Sequence, residues 1–437
     1  MKKIYTTILS VALFTGINTT TNAQCTDNRY HDYVFPAAPV VTSNIIYGNN
    51  LDKGGASIDL KLDVYQPNGD ASNSRALIIV AHGGSFIGGS KTGSDVLNMS
   101  KDFARMGYVV ASIDYRIGMT NFPIAQTHTI DSTDAGAAVM RAVHDGRAAV
   151  RYFRKDARIG GNTYKIDTNN IFFAGVSAGG FIALHVAYMD ELSEFPSYVD
   201  TIGQHGLHGG IEGLSGNPGY PSDVKAVINI CGALGDTAWV KPGDEPVMNF
   251  HGNNDGTVPY GSSVISLLGI YPLLKVHGGY SVAARANQVG LTNCFEKYEN
   301  RDHVPHVGTS ATALAHYDTT LTISRNFLEH FTCGVALNCA YTTPPVIGID
   351  ELIVNANDIN LYPNPANTNF TIDLTPFGNA SITLELFDIL GKSVMTLPKV
   401  KNDVITLNRG QLPSGMYFVR LTNTTTNISV TKKVTFE

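Results

Sequence analysis

The stretch Asn170-Ile171-Phe172-Phe173-Ala174-Gly175-Val176-Ser177-Ala178-Gly179-Gly180 constrains this 437-residue chain more than any other. Apolar, largely β-compatible residues run into Gly-x-Ser-x-Gly, and Phe181 to Met189 then reads as an apolar helix. Strand, tight turn and helix in that order set a serine on a strained corner, the setting in which it becomes a nucleophile. The two backbones close in on each other at such a corner. Gly175 and Gly179 meet that need, and Ala178 and Gly180 keep the helix start uncrowded. The helix N-terminus places partial positive charge beneath the seryl oxygen, which favours the anion formed during attack. With 43 glycines in the chain, the pentapeptide arises by chance roughly 0.3 times at this length, so its neighbours must carry the argument.

Upstream, Leu60 to Tyr65 alternates like a strand, and the mature residues before Asn50 look irregular. Ala76 to Ala81 is a continuous apolar run, as in a strand buried on both faces, and it stops at His82-Gly83-Gly84-Ser85-Phe86. Consecutive glycines after a strand leave N–H groups free and let a substrate carbonyl approach them. Together with the N–H of Ala178 they would stabilise the oxyanion of acyl transfer. Ser94 to Met106 is helical in pattern, and Tyr108 to Ile113 is a further buried strand. It ends in Asp114-Tyr115-Arg116, read as an Asp–Arg pair supporting the glycine loop. Asp134 to Lys155 is a long amphipathic helix, so strands and helices alternate and a mostly parallel sheet follows. Glu191 to Asp223 has no clear period and reads as an insertion over the site, a lid or wall. His205 and His208 lie in it without the carboxylate spacing of a metal site, and neither a metal nor a cofactor is expected.

Val224 to Ile230 and Pro246 to Phe250 are two more strands, the second leading into His251-Gly252-Asn253-Asn254-Asp255-Gly256-Thr257-Val258-Pro259. An aspartate just past a strand can hold a histidine from the next loop in the required tautomer. Asp255 is the candidate acid, with Asp236 as runner-up. Cys294 to Glu299 is the next short strand, and the loop after it offers two histidines. His303 is favoured as the base and His306 is the alternative. His316 to Phe331 is a closing amphipathic helix. Phe86, Ile87, Trp239 and Tyr260 lie near motif ends, where they could line an acyl pocket or belong to the core. Phe86 and Trp239 are the substrate-binding candidates.

The ends of the chain speak to its location. Lys2 and Lys3 precede an apolar run from Ile4 to Ile17, and Thr21-Asn22-Ala23 offers small residues for cleavage, so residues 1–23 read as a secretory signal peptide. No other segment could span a bilayer. Export permits disulfides. The cysteines are Cys25, Cys231, Cys294, Cys333 and Cys339, an odd number that leaves at least one unpaired within the chain. Cys333 and Cys339 are near enough to bridge locally, though spacing assigns no pairs. A net charge of −6 gives no footprint for nucleic acid or an anionic membrane.

Residues from about Tyr47 to Cys333 resemble the α/β-hydrolase fold of the esterase/lipase type. The likeness rests on His82-Gly83-Gly84-Ser85-Phe86, Asp114-Tyr115-Arg116, Gly175 to Gly180 and His251 to Pro259, all in family order. The resemblance implies a mostly parallel sheet flanked by helices. It implies Ser177 as nucleophile, Asp255 as acid, His303 as base, and Gly83, Gly84 and Ala178 as the oxyanion hole. Two positions depart from the family pattern: Ser85 stands for the third glycine, and Asp302 precedes His303 where a glycine is common.

After Cys339 the composition changes. Thr342-Thr343-Pro344-Pro345 is a linker signal, and from Ile359 a Thr/Asn-rich chain with alternating apolar residues reads as a small antiparallel sandwich. Leu361-Tyr362-Pro363-Asn364-Pro365-Ala366, Gly391-Lys392, Leu412 to Tyr417 and Lys432-Lys433-Val434 resemble the C-terminal sorting domain of the type IX secretion system. That likeness implies the secretion machinery as a partner and a secreted or outer-membrane surface-attached product. The expected organisation is a signal peptide over 1–23, a catalytic domain over 24–339 with an insertion at 191–223, a linker over 340–358 and a sorting domain over 359–437. The expected function is a secreted serine carboxylic-ester hydrolase. A serine peptidase of the same fold, and an inactive surface-binding homologue, are the competing readings.

Overall fold

The computed structural model describes residues 25–119, 132–267, 271–340, 359–377, 380–389, 391–401, 403–424 and 429–437. The expected signal peptide and nearly all of the expected linker lie outside them. The chain divides into two compact units, Met1–Thr342 and Thr343–Glu437.

In the first unit the elements run β1 (Val40–Leu51), β2 (Ser57–Gln66), β3 (Arg75–Ala81), α1 (Leu97–Arg105), β4 (Val109–Ile113), α2 (Ser132–Ile159), β5 (Ile166–Val176) and α3 (Ala178–Tyr188). They continue with β6 (Ala226–Ile230), β7 (Ala233–Leu234), β8 (Val247–Gly252), β9 (Ser262–Leu267), β10 (Tyr271–Gly278), α4 (Gly279–Gln288), β11 (Asn293–Tyr298) and α5 (Ala311–Cys333). An eight-stranded sheet has the order β1-β2-β4-β3-β5-β6-β8-β11. Its strands from β4 to β11 pair in parallel, and β1 and β2 join antiparallel at one edge.

Strand alternation feeds two cores. In β3, Leu77, Ile79 and Ala81 pack with α2 and α3, whereas Ala76, Ile78 and Val80 pack with α1 and α5. Every residue of β3, β4 and β6 is buried, which is why their sequences are apolar except at Arg75, Ser112 and Asn229, with no alternation of apolar and polar residues. All the parallel strands point their C-terminal ends the same way, so the loops after β3, β5, β8 and β11 meet at one rim.

Several expectations change. The supposedly irregular stretch before Asn50 contains β1, an edge strand buried only at Tyr47 and broken by two register shifts. With both faces mostly in solvent it carries no hydrophobic alternation. Asp114 and Arg116 do not pair. Asp114 accepts the Lys91 N–H at 2.7 Å, and Arg116 turns the other way into a fully buried salt bridge with Asp145. Cys333 does not bridge to Cys339; the disulfides are Cys25–Cys333 and Cys294–Cys339, with Cys231 free and buried. The 191–223 insertion is clasped onto α2 by Arg147 and Arg151, which both reach Glu212, and by Arg141, which donates to the His205 carbonyl.

The second unit comprises a three-stranded sheet, β12-β13-β16, and a four-stranded sheet, β15-β14-β17-β18. These strands are β12 (Leu361–Tyr362), β13 (Asn369–Asp373), β14 (Ile382–Asp388), β15 (Ser393–Val400), β16 (Val404–Asn408), β17 (Gly415–Asn423) and β18 (Ser429–Phe436). All named pairings are antiparallel, and Phe370, Ile372, Leu384, Leu386, Val419 and Leu421 fill the core between the sheets.

Candidate active site

Ser177 sits between β5 and α3 at φ 53° and ψ −115°, a left-handed corner that a side chain rarely adopts. Its N–H donates to the Ile230 carbonyl at 2.8 Å, which pins the corner to the end of β6. The flanking glycines are required sterically. A Cβ on Gly175 would lie 1.9 Å from the Gly179 oxygen, and one on Gly179 would lie 2.0 Å from the Ala81 oxygen.

Two loops converge on this corner. His303, after β11, brings Nε2 to 2.8 Å from Ser177 Oγ, and its Nδ1 lies 2.7 Å from Asp255 Oδ2. The carboxylate at Nδ1 fixes the proton there, leaving the Nε2 lone pair to accept from the serine hydroxyl. Asp255 follows β8, and its Oδ1 accepts the N–H groups of Thr257 and Val258. Burial alone would raise its pKa. Hydrogen bonds from His251 and His303, with that of the Val258 N–H, more than offset this and hold the carboxyl well below its usual range. Asp302, where the family commonly has glycine, accepts from the N–H groups of Gly256 and His303 and ties the two loops together.

The alternatives lie elsewhere. His306 is buried with neither ring nitrogen hydrogen-bonded, and burial first, then His303 and His316, push its pKa down to about 3. Asp236 caps a short helical turn through the Ala238 N–H.

The glycine loop differs from expectation at Gly83. Its N–H donates to Asp95 Oδ2 at 2.6 Å and is therefore not free for an oxyanion. Gly84 at φ 119°, then Ser85 and Phe86 at φ 55° and 57°, turn the chain sharply toward Ser177. Phe86 O accepts from Gly118 and Met119, and the Tyr115 hydroxyl donates to His82 O, so the loop is braced from behind.

A cavity of about 360 Å³ opens at Ser177. Ser85 and Ala178 line it, and Phe86, Val139, Phe181 and Leu273 are among its apolar lining. Trp239 lines a neighbouring cavity of about 290 Å³ with His185, Tyr198 and Asp236, which shares Val139, Phe181 and Leu274 with the first. Glu194, Pro196 and Tyr198 of the insertion also line this second cavity, and no insertion residue lines the first. Ile87 packs against the core, and Tyr260 stacks on Tyr280, so neither lines the first cavity. The β9–β10 hairpin, invisible to the motif reading, supplies Ile265, Leu273 and Leu274.

Among the described residues, two clusters could hold a cation: Cys231 with Asp255 and His303, and Asp190 with Glu191 and Glu194. In the first, His303 is hydrogen-bonded to Ser177 and Asp255, and the second is held by the Lys241 ammonium. His205 and His208 join neither.

Residues 62–234 match the family model described as BD-FAE, and residues 360–437 match the Secretion system C-terminal sorting domain. The structure is similar to esterase 2 of Thermogutta terrifontis in its apo form, with 20% identity over 70% of this chain and 98% of that one, at a TM-score of 0.47. The propionate-bound form gives 21% identity over 67% and 94%, at a TM-score of 0.45. An 82-residue stretch, 18% of the chain, is 32% identical to an endo-acting ulvan lyase of Formosa agariphila and spans 15% of that protein's length. Among the described residues, no helix is long and apolar enough to cross a membrane.

Proposed function

We propose, from the premise that residues 62–234 belong to the BD-FAE family of α/β-hydrolase esterases and that residues 360–437 are a type IX sorting domain, that this protein is an exported serine carboxylic-ester hydrolase working through an acyl-enzyme. The observation that carries the reading is the unbroken line from Ser177 Oγ through His303 to Asp255, with links of 2.8 and 2.7 Å. Such a line lets the hydroxyl lose its proton as it attacks.

The proposed steps follow from these positions. Ser177 Oγ forms a bond to the ester carbonyl carbon while its proton passes to His303 Nε2, and the carbonyl electron pair moves onto oxygen. The Ala178 N–H at the start of α3, with the loop N–H groups of Gly84 and Ser85, stabilises that charge. Asp255 stays ionised and stabilises the imidazolium. Collapse breaks the bond to the alcohol, which leaves with the proton from His303. Water, deprotonated by the same nitrogen, then releases the acid and restores Ser177. At about 360 Å³ the cavity is near the small end of ligand sites, so a compact apolar acyl group is the proposed occupant. Phe86 and Phe181 would grip it, and Trp239 would meet only a longer substrate portion reaching the second cavity.

The test is labelling with a p-nitrophenyl alkylphosphonate followed by peptide mass spectrometry. One phosphonyl group on the Ser177 peptide, with matching loss of ester hydrolysis, is expected. Label on another residue, or none on folded protein, would contradict the proposal.

A further inference from the structure

Next to the Asp255 carboxylate lies a histidine that takes no part in the proposed proton transfers. His251, at the end of β8, is fully buried. Its Nδ1 accepts the Gly279 N–H at 3.1 Å, so the single proton of the neutral ring resides on Nε2. That Nε2 lies 3.1 Å from the Val258 carbonyl and 3.3 Å from Asp255 Oδ2, the oxygen that also receives His303. Val258 in turn gives its N–H to Asp255 Oδ1. The acid loop is therefore closed around one imidazole N–H.

The far side of the ring fixes which nitrogen donates. Gly279 opens α4, and the N–H end of that helix meets Nδ1, which leaves the N–H of the ring on the Nε2 side. The approach is close: a Cβ on Gly278 would lie 1.8 Å from the Pro259 oxygen, and one on Gly279 would lie 3.1 Å from His251 Nδ1. Glycines at the β10–α4 junction thus let a helix terminus press against the histidine that supports the acid.

We infer that His251 is a positioning residue for the hydrolysis, directing Asp255 Oδ2 at His303 by donating from Nε2. The inference rests on the proposed triad. Two substitutions separate its parts. Asn in His251→Asn retains an acceptor for Gly279 near the Nδ1 position but has no donor at the reach of Nε2. Gln in His251→Gln restores a donor at that reach.

The experiment measures kcat and KM for p-nitrophenyl butyrate, thermal midpoints, and the downfield proton resonance of the His303–Asp255 hydrogen bond in all three proteins. Loss of hydrolysis in a Ser177→Ala control tests the functional reading separately. The resonance tests the positioning role without any substrate. In His251→Asn, kcat should fall about 10- to 100-fold with KM within twofold, because small misplacements of such groups have effects of this size. The downfield resonance should shift or vanish, and His251→Gln should recover both. Equal losses in both variants with a matching fall in thermal midpoint would overturn the inference in favour of a packing role. So would an unchanged resonance and kcat in His251→Asn.

Discussion

Gly179→Ala turns the geometry of the nucleophile corner into a number. The added Cβ would stand 2.0 Å from the Ala81 oxygen and 2.8 Å from the His82 oxygen, both backbone atoms, so no side chain can rotate away. Real Cβ contacts essentially never fall under 3.0 Å, and 3.0 less 2.0 leaves a displacement of 1.0 Å. That movement has to come from the start of α3 relative to the end of β3, the two pieces of backbone that set Ser177 against the glycine loop. A misplacement of about 1 Å lowers catalysis by about a hundredfold, which is about 2.7 kcal/mol in the barrier. Overpacking of this kind also destabilises by about 1–3 kcal/mol. The assay is hydrolysis of p-nitrophenyl butyrate normalised to phosphonate-titrated sites, which separates misplacement from loss of folded protein. Gly88→Ala is the control, because its Cβ meets nothing within 4 Å. A Gly179→Ala protein whose turnover per titrated site stays within threefold of wild type would refute the reasoning.

Three further outcomes follow from the rest of the structure. Arg116→Met leaves the fully buried Asp145 without its cation, which should cost about 3–5 kcal/mol in urea unfolding, most of it recovered in the Arg116→Met/Asp145→Leu pair. Burial depresses the pKa values of His144 and His185 to about 4 and of His306 to about 3, from an ordinary 6.5. The stabilisation from keeping them neutral is complete above about pH 6.5 and is lost as the pH falls toward the folded values, by about 1.4 kcal/mol per pH unit for each group. Urea midpoints should therefore drop steeply between pH 6.5 and 4, and less so in His306→Leu; equal slopes would contradict this. With two disulfides formed and Cys231 buried, a thiol reagent should find no group in the native unreduced protein and one after denaturation.

The fold was legible where burial is symmetrical. Ala76 to Ala81 is apolar throughout, and Val224 to Ile230 is mostly so, because helices cover both faces, and that pattern survives in sequence. It was illegible at β1, whose exposed edge position imposes no pattern, and in the β9–β10 hairpin, whose apolar residues line a cavity instead of joining the sheet. Motif order put forward Ser177, Asp255 and His303 together, and the structure brings these three side chains within hydrogen-bonding reach of one another. It could not separate His303 from His306, because three residues along a loop reverse a side chain's direction without leaving a sequence mark. Nor could it show that Gly83 spends its N–H on Asp95, a residue from a different turn. The partner of Arg116 was hidden for the same reason: Asp145 is 29 residues away on α2, and no local motif links the two.

The most direct measurement of the central claim is hydrolysis of p-nitrophenyl esters from acetate to palmitate by wild-type and Ser177→Ala proteins. Turnover that peaks at short to medium acyl chains and disappears in Ser177→Ala is the expected result. Turnover that survives in Ser177→Ala, or a folded wild-type protein that hydrolyses none of the series, would contradict it.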